Sequence, residues 1–156
     1  MSSDDRPILL VEDDQNDVFF LQYAFETAGI KNPLHVVLDG QQAIHYLSGT
    51  GEFSDRRKFP IPAVVLLDLK LPVKMGLEVM RWIQSQPQLK HLLVIVLTSS
   101  ADIGDVERAY ALGARSYLVK PVSLEKRIEM VRVIKDYWLD LNCFPTPSSP
   151  DKPKVG

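Results

Sequence analysis

Short aliphatic runs alternate with longer amphipathic stretches along this chain. Runs near residues 7–12, 34–38, 63–67, 92–98 and 115–119 read as strands. Those around Ile8-Leu9-Leu10-Val11, Ala63-Val64-Val65-Leu66-Leu67 and Leu92 to Leu97 are almost purely aliphatic, as expected where helices cover both faces of a sheet. Helical periodicity appears between them over 15–29, 40–48, 76–86, 103–112 and 123–142. Val18, Leu21, Phe25 and Ala28 line one face of the first helix, which should stop at Gly29. The third helix opens at Gly76 and closes before Pro87, and Gly113 stands where the fourth needs a left-handed terminator. Repeated strand–helix units of this kind predict an α/β fold with a parallel, doubly wound sheet.

Three segments stand apart. The last helix would be about 28 Å long if all of 123–141 is helical. Leu124, Ile128, Val131, Ile134 and Trp138 form one stripe on it, and Met130, Val133 and Tyr137 a second. One stripe can face the sheet; the other, left exposed, is expected to meet a second copy or a partner protein. Gly49 to Pro62 is a polar, basic loop longer than the usual two to six residues. It reads either as a surface insertion or as a partner contact made by Arg56, Arg57 and Lys58. From 143 to 156 the chain is rich in proline and is expected to be disordered.

Composition narrows the class without naming a function. A chain of 156 residues suffices for one domain with its own core. The net charge of −2 exerts no overall pull toward nucleic acid or membrane, and the basic residues are scattered. Cys143 is the sole cysteine, which excludes an internal disulfide and fits a reducing compartment. The acidic N-terminus has no apolar signal core, and no aliphatic run approaches the roughly 20 residues of a membrane span. A cytoplasmic location is expected.

The chemistry gathers where strands run out. Val11 is followed by Glu12-Asp13-Asp14, Leu67 by Asp68, Leu97 by Thr98-Ser99, and Val119 by Lys120-Pro121. In an open parallel sheet, ligands bind beyond the carboxyl ends of the strands, so these residues should converge on one acidic pocket. Glu12, Asp13 and Asp68 would repel one another by roughly 4 kcal/mol per pair at 4 Å with an effective dielectric near 20. Without a cation, one of them should have a raised pKa. Hard oxygen ligands suit Mg²⁺, and a carboxylate beside the metal can act as a nucleophile toward phosphorus. Lys120 and the Thr98 hydroxyl would then bind phosphoryl oxygens. The plain alternative is that Asp13 or Asp14 simply caps the first helix.

These residues resemble the receiver domain of two-component response regulators. The likeness covers about 6–142 and rests on Leu10-Val11-Glu12-Asp13, Leu67-Asp68-Leu69-Lys70-Leu71-Pro72 with Gly76, Thr98-Ser99, Gly113-Ala114, and Tyr117 with Lys120-Pro121. It implies a five-stranded parallel sheet in order 2-1-3-4-5, the flavodoxin-like arrangement. It further implies that Asp68 accepts a phosphoryl group from a histidine kinase or phosphotransfer protein. Asp13, Asp68 and the main-chain carbonyl of Lys70 would bind Mg²⁺, with Glu12 acting through water. Thr98 would move toward the phosphate, Tyr117 would turn inward with it, and Lys120 would sense it. The surface built from helix 4, strand 5 and helix 5 would change, and could pair two copies of the chain. Asp14 lies one place beyond the matching acidic pair and is left either as a cap or as an acid supporting the site from behind. Val122 stands where the family often has an aromatic residue, and Lys70 adds a cation at the mouth of the site. The long loop and Tyr137-Trp138-Leu139 resemble the small stand-alone regulators that serve bacterial phytochrome kinases.

Two rivals remain at this level. One is a pseudo-receiver that binds partners without phosphorylation. The other is a phosphohydrolase of the haloacid dehalogenase type, but that class usually has a second aspartate where this chain has Lys70. His35, His45 and His91 show no metal-ligand spacing, and Gly49-Thr50-Gly51 lacks the third glycine of a dinucleotide loop.

Overall fold

A computed structural model describes residues 5–145. Its five strands are β1 (Ile8–Val11), β2 (Leu34–Val37), β3 (Val64–Leu67), β4 (Leu93–Thr98) and β5 (Ser116–Val119). They form one parallel sheet in the order β2-β1-β3-β4-β5. The helices are α1 (Gln15–Ala28), α2 (Gly40–Ser48), α3 (Gly76–Gln84), α4 (Ile103–Ala111) and α5 (Leu124–Ile134).

Alternation along each strand divides the core in two. Leu9, Val11, Val65, Leu67, Val94 and Val96 face α2, α3 and α4, where Tyr46, Leu47, Val79, Met80 and Ala109 complete the packing. Ile8, Leu10, Val64, Leu66, Ile95 and Leu97 face α1 and α5, against Val18, Leu21, Phe25, Val131 and Ile134. Both faces of β1, β3 and β4 are therefore dry, which is why these strands are aliphatic throughout. The helix stops fall where expected: Gly29 (φ 75°) ends α1, and Gly113 (φ 100°) follows α4.

Two expectations need correction. Residues 123–142 do not form one regular helix. After Ile134 the chain widens into a π-helical segment, Lys135–Leu141, closed by Asn142 N–H donating to the Tyr137 carbonyl at 2.7 Å. Widening moves the buried position from i+4 to i+5, so Leu139 rather than Trp138 follows Ile134 into the core; Trp138 is only half-buried. The second stripe is likewise mixed. Val133 and Tyr137 are exposed, but Met130 packs against the α1–α5 side of the core.

The loop from Gly49 to Pro62 is a packed structure, not a free flap. Phe53 and Phe59 insert beside Tyr46. Arg56 donates to the carbonyls of Leu47 (2.6 Å), Tyr46 (2.7 Å) and Phe59 (3.0 Å), satisfying the open end of α2. Arg56 is thus committed to the fold and unavailable to a partner, while Arg57 and Lys58 remain exposed. The expected tail begins with Cys143–Pro145, which have no regular structure; residues 146–156 lie outside those described.

Candidate functional site: an acidic pocket around Lys120

Sheet hydrogen bonding carries the acidic residues to one edge. Glu12 N–H donates to the Val37 carbonyl at 3.1 Å and Asp68 N–H to the Val11 carbonyl at 3.1 Å, so both acids lie just past the register that ends β1 and β3. Lys120 N–H donates to the Thr98 carbonyl at 2.8 Å, which pins the β5 end beside β4. Asp14 is the cap of α1: its side chain accepts from Asn16 N–H (2.8 Å) and Asp17 N–H (3.2 Å). Capping by Asp14 leaves Asp13 exposed, with a carboxylate oxygen close to those of Glu12 and Asp68.

Oxygens of Glu12, Asp13 and Asp68 lie within 4.8 Å of one another. Two oxygens on opposite sides of one Mg²⁺ sit about 4 Å apart, so the trio matches a small divalent cation after slight rotation. Lys120 Nζ faces the same carboxylates. It donates to Glu12 Oε1, to Asp68 Oδ2 at 2.9 Å, and to Asp17 Oδ2 at 2.9 Å, using all three N–H groups. Burial pushes the Glu12 carboxyl up to about 7, against the pull of Lys120. The same burial disfavours the Lys120 ammonium, but its three carboxylate partners outweigh it and raise the lysine above its usual range. One acid with a raised pKa was the expectation for this pocket, and Glu12 is that acid.

The remaining expected residues are near but differently engaged. Thr98 is fully buried at the end of β4, its hydroxyl 3.5 Å from Ser100 N–H. Tyr117 is turned toward the core and donates its hydroxyl to the Ser100 carbonyl at 2.9 Å. Ser100 in turn donates to Asp105 Oδ2 at 2.6 Å, tying the loop after β4 to α4. Lys70 is exposed, and its main-chain N–H donates to Asp68 Oδ1 at 3.3 Å.

Sequence reading missed Asp17 and Arg127. Asp17 lies in the first turn of α1 and accepts from Lys120 and, at 2.8 Å, from Arg127 Nη1 of α5. Burial would raise the Asp17 carboxyl, but these two cations hold it below the ordinary carboxylate value. The available signal was an acid in the first turn of α1, close in sequence to the Glu12-Asp13 pair that ends β1.

Comparisons with known proteins agree with this geometry. The response regulator receiver domain family matches residues 8–132. Response regulator Rcp1 of Synechocystis sp. is 37% identical over 148 residues, covering 93% of this chain and 99% of that protein. The solved structure of the phosphorylated cyanobacterial phytochrome response regulator RcpA superposes with a TM-score of 0.84 at 33% identity, covering 90% of this chain and 99% of that one. Response regulator RPA3017, from red light signalling of R. palustris, gives a TM-score of 0.85 at 35% identity, with 90% and 99% covered. The chain belongs to the response regulator receiver domain family, and is a signalling protein of the two-component type.

Proposed function

We propose that this chain is a phosphorylation-driven switch in which Asp68 is the phosphoacceptor. A carboxylate oxygen of Asp68 attacks the phosphorus of a phosphohistidine or small acyl phosphate. The new O–P bond forms as the donor's bond to phosphorus breaks, and the donor leaves with that electron pair. Asp13, Asp68 and the main-chain carbonyl of Lys70, with Glu12 through water, would hold Mg²⁺, which would offset the charge of the incoming group. Lys120 and the Thr98 hydroxyl take phosphoryl oxygens, and Tyr117 reports the change toward β5 and α5. The observation that carries this reading is the Lys120–Asp68 contact at 2.9 Å, placed against a trio of carboxylates spaced for one divalent ion. Among relatives, a solved form of Rcp1 is Mn²⁺-bound and the RcpA structure is phosphorylated.

The donor is a histidine kinase, of phytochrome type given the relatives named above, or a phosphotransfer protein, and the switch acts in the cytoplasm. Among the described residues, no helix is long and apolar enough to cross a membrane. Output passes by protein contact, not by turnover of a substrate. Ile103, Val119, Val133 and Tyr137 are exposed along α4, β5 and the last helix, which supports pairing of two copies through that face.

Intact mass after incubation with acetyl phosphate and Mg²⁺ tests the reading. One phosphoryl adduct on the protein, lost with Asp68→Asn or with chelation of the metal, is expected. No adduct despite demonstrated Mg²⁺ binding would leave a phosphorylation-independent receiver.

A further inference from the structure

Lys120 is held from two directions by a closed ring of polar contacts. Its Nζ donates to Asp17 Oδ2 at 2.9 Å, and the other oxygen of Asp17 accepts from Arg127 Nη1 at 2.8 Å. Arg127 Nε then donates to the carbonyl of Pro121 at 2.7 Å, one residue beyond the lysine itself. The ring thus fixes both the tip of Lys120 and the backbone that bears it. Its members are well shielded, with side-chain exposures of 8% for Lys120, 16% for Asp17 and 14% for Arg127. The Arg127 guanidinium also lies over the Phe20 ring, 5.4 Å from its centroid, which limits the rotation open to it.

Asp17 does not belong to the trio spaced for a cation. That trio is Glu12, Asp13 and Asp68, whereas Asp17 reaches the same ammonium from the first turn of α1. Lys120 has three N–H groups and three carboxylate partners. When Asp68 becomes an acyl phosphate, the bond to its Oδ2 is the one that must be re-directed. The bonds to Glu12 and Asp17 can persist, and they leave the third N–H aimed at the place where phosphoryl oxygens arrive. We propose that Asp17, braced by Arg127, is a positioning residue for phosphoryl transfer, holding the Lys120 ammonium aligned while its third donor passes from Asp68 to the phosphoryl group. This rests on the assignment of Asp68 as phosphoacceptor.

A different role for the same contacts is a simple staple between α1 and α5, and the two are separable. A staple can be replaced by an apolar pair of similar size without loss of stability, because a buried ion pair is costly to desolvate. A positioning carboxylate cannot. The experiment measures the initial rate of adduct formation from acetyl phosphate at saturating Mg²⁺, with melting temperature alongside. The variants are Asp17→Asn and the double replacement Asp17→Leu with Arg127→Met. Misplacing a catalytic group by an ångström costs roughly 100-fold, so a fall of at least about tenfold is expected in both. The double variant should melt near the wild type, and Arg127→Lys, which keeps a cation on Asp17, should recover most of the rate. A rate within about twofold of wild type in the stable double variant overturns the proposal, whatever Asp17→Asn does to folding. Absence of any adduct on the wild-type chain overturns the assignment of Asp68 instead, so the two failures are distinct.

Discussion

Gly76 and Asp68 meet backbone to backbone: a Cβ placed on Gly76 would lie 2.3 Å from the Asp68 carbonyl oxygen. Gly76 N–H also donates to the Leu69 carbonyl at 2.9 Å, so the first turn of α3 is pressed against the loop that carries the acidic residue. No L side chain fits there without moving Asp68 or the start of the helix. Gly76→Ala should destabilise the protein by about 1–3 kcal/mol, the usual cost of overpacking. It should also slow adduct formation, because the displaced residue is Asp68 itself. Urea denaturation midpoints and adduct rates check this; an unchanged rate in a destabilised protein would show that the strain is absorbed on the α3 side.

The buried Glu12 carboxyl gives a pH signature. Its pKa rises from 4.5 to about 7 in the folded chain, mainly through burial. Between those values the folded metal-free protein keeps a proton that the unfolded chain releases, so this group favours folding below about 4.5 and ceases to do so as pH rises through 7. A cation entering the pocket must displace that proton. Apparent Mg²⁺ affinity should therefore climb by up to about tenfold per pH unit from pH 5 toward 7 and level off above it. Glu12→Gln should flatten the climb. Calorimetric Mg²⁺ titrations at several pH values decide the matter, and a slope that survives in Glu12→Gln would assign the proton elsewhere.

Much of the pocket was legible because its parts are tied to local patterns. Glu12, Asp13, Asp68, Thr98 and Lys120 each follow an aliphatic run, and in a parallel sheet the ends of such runs must come together. The strand order came from the family likeness and not from periodicity. Arg127 was invisible for a different reason. Its partner Asp17 is 110 residues away, and their meeting depends on how α1 packs against α5, which no window of sequence records. Likewise the choice between Trp138 and Leu139 turns on one extra residue in a helical turn, and both are apolar. Arg56 reads as a surface charge in sequence because a carbonyl acceptor carries no residue signature.

The Arg56 contacts make a stability prediction with an internal control. Three main-chain carbonyls accept from one guanidinium, and two of them close the end of α2. Arg56→Ala should cost about 1–3 kcal/mol, since these part-buried acceptors lose a charged donor. Arg57→Ala, next door and exposed, should stay within about 0.5 kcal/mol of wild type. Limited proteolysis should cut between Gly49 and Pro62 faster in the first variant only. Equal cutting in both would mean that Phe53 and Phe59 hold the loop without the arginine.

Val73 is the one non-glycine residue with a positive φ among those described, at 66°, and it sits at the centre of a γ-turn. A β-branched side chain is poorly suited to a positive φ, at a cost of roughly 1–2 kcal/mol. Its side chain, 76% exposed, contributes little packing in return. The turn it occupies lies between Asp68 and Gly76, and the main chain there is held by Lys74 N–H donating to the Pro72 carbonyl at 2.7 Å. The conformation is therefore imposed on valine by the geometry that links β3 to α3. Val73→Asn keeps a side chain but tolerates a positive φ better than a β-branched residue, and should stabilise the fold by about 1 kcal/mol, or a few degrees in melting temperature. Val73→Gly should gain less, because glycine adds freedom to the unfolded chain. A fall in melting temperature with both substitutions would mean that the exposed valine makes contacts worth more than the strain it bears.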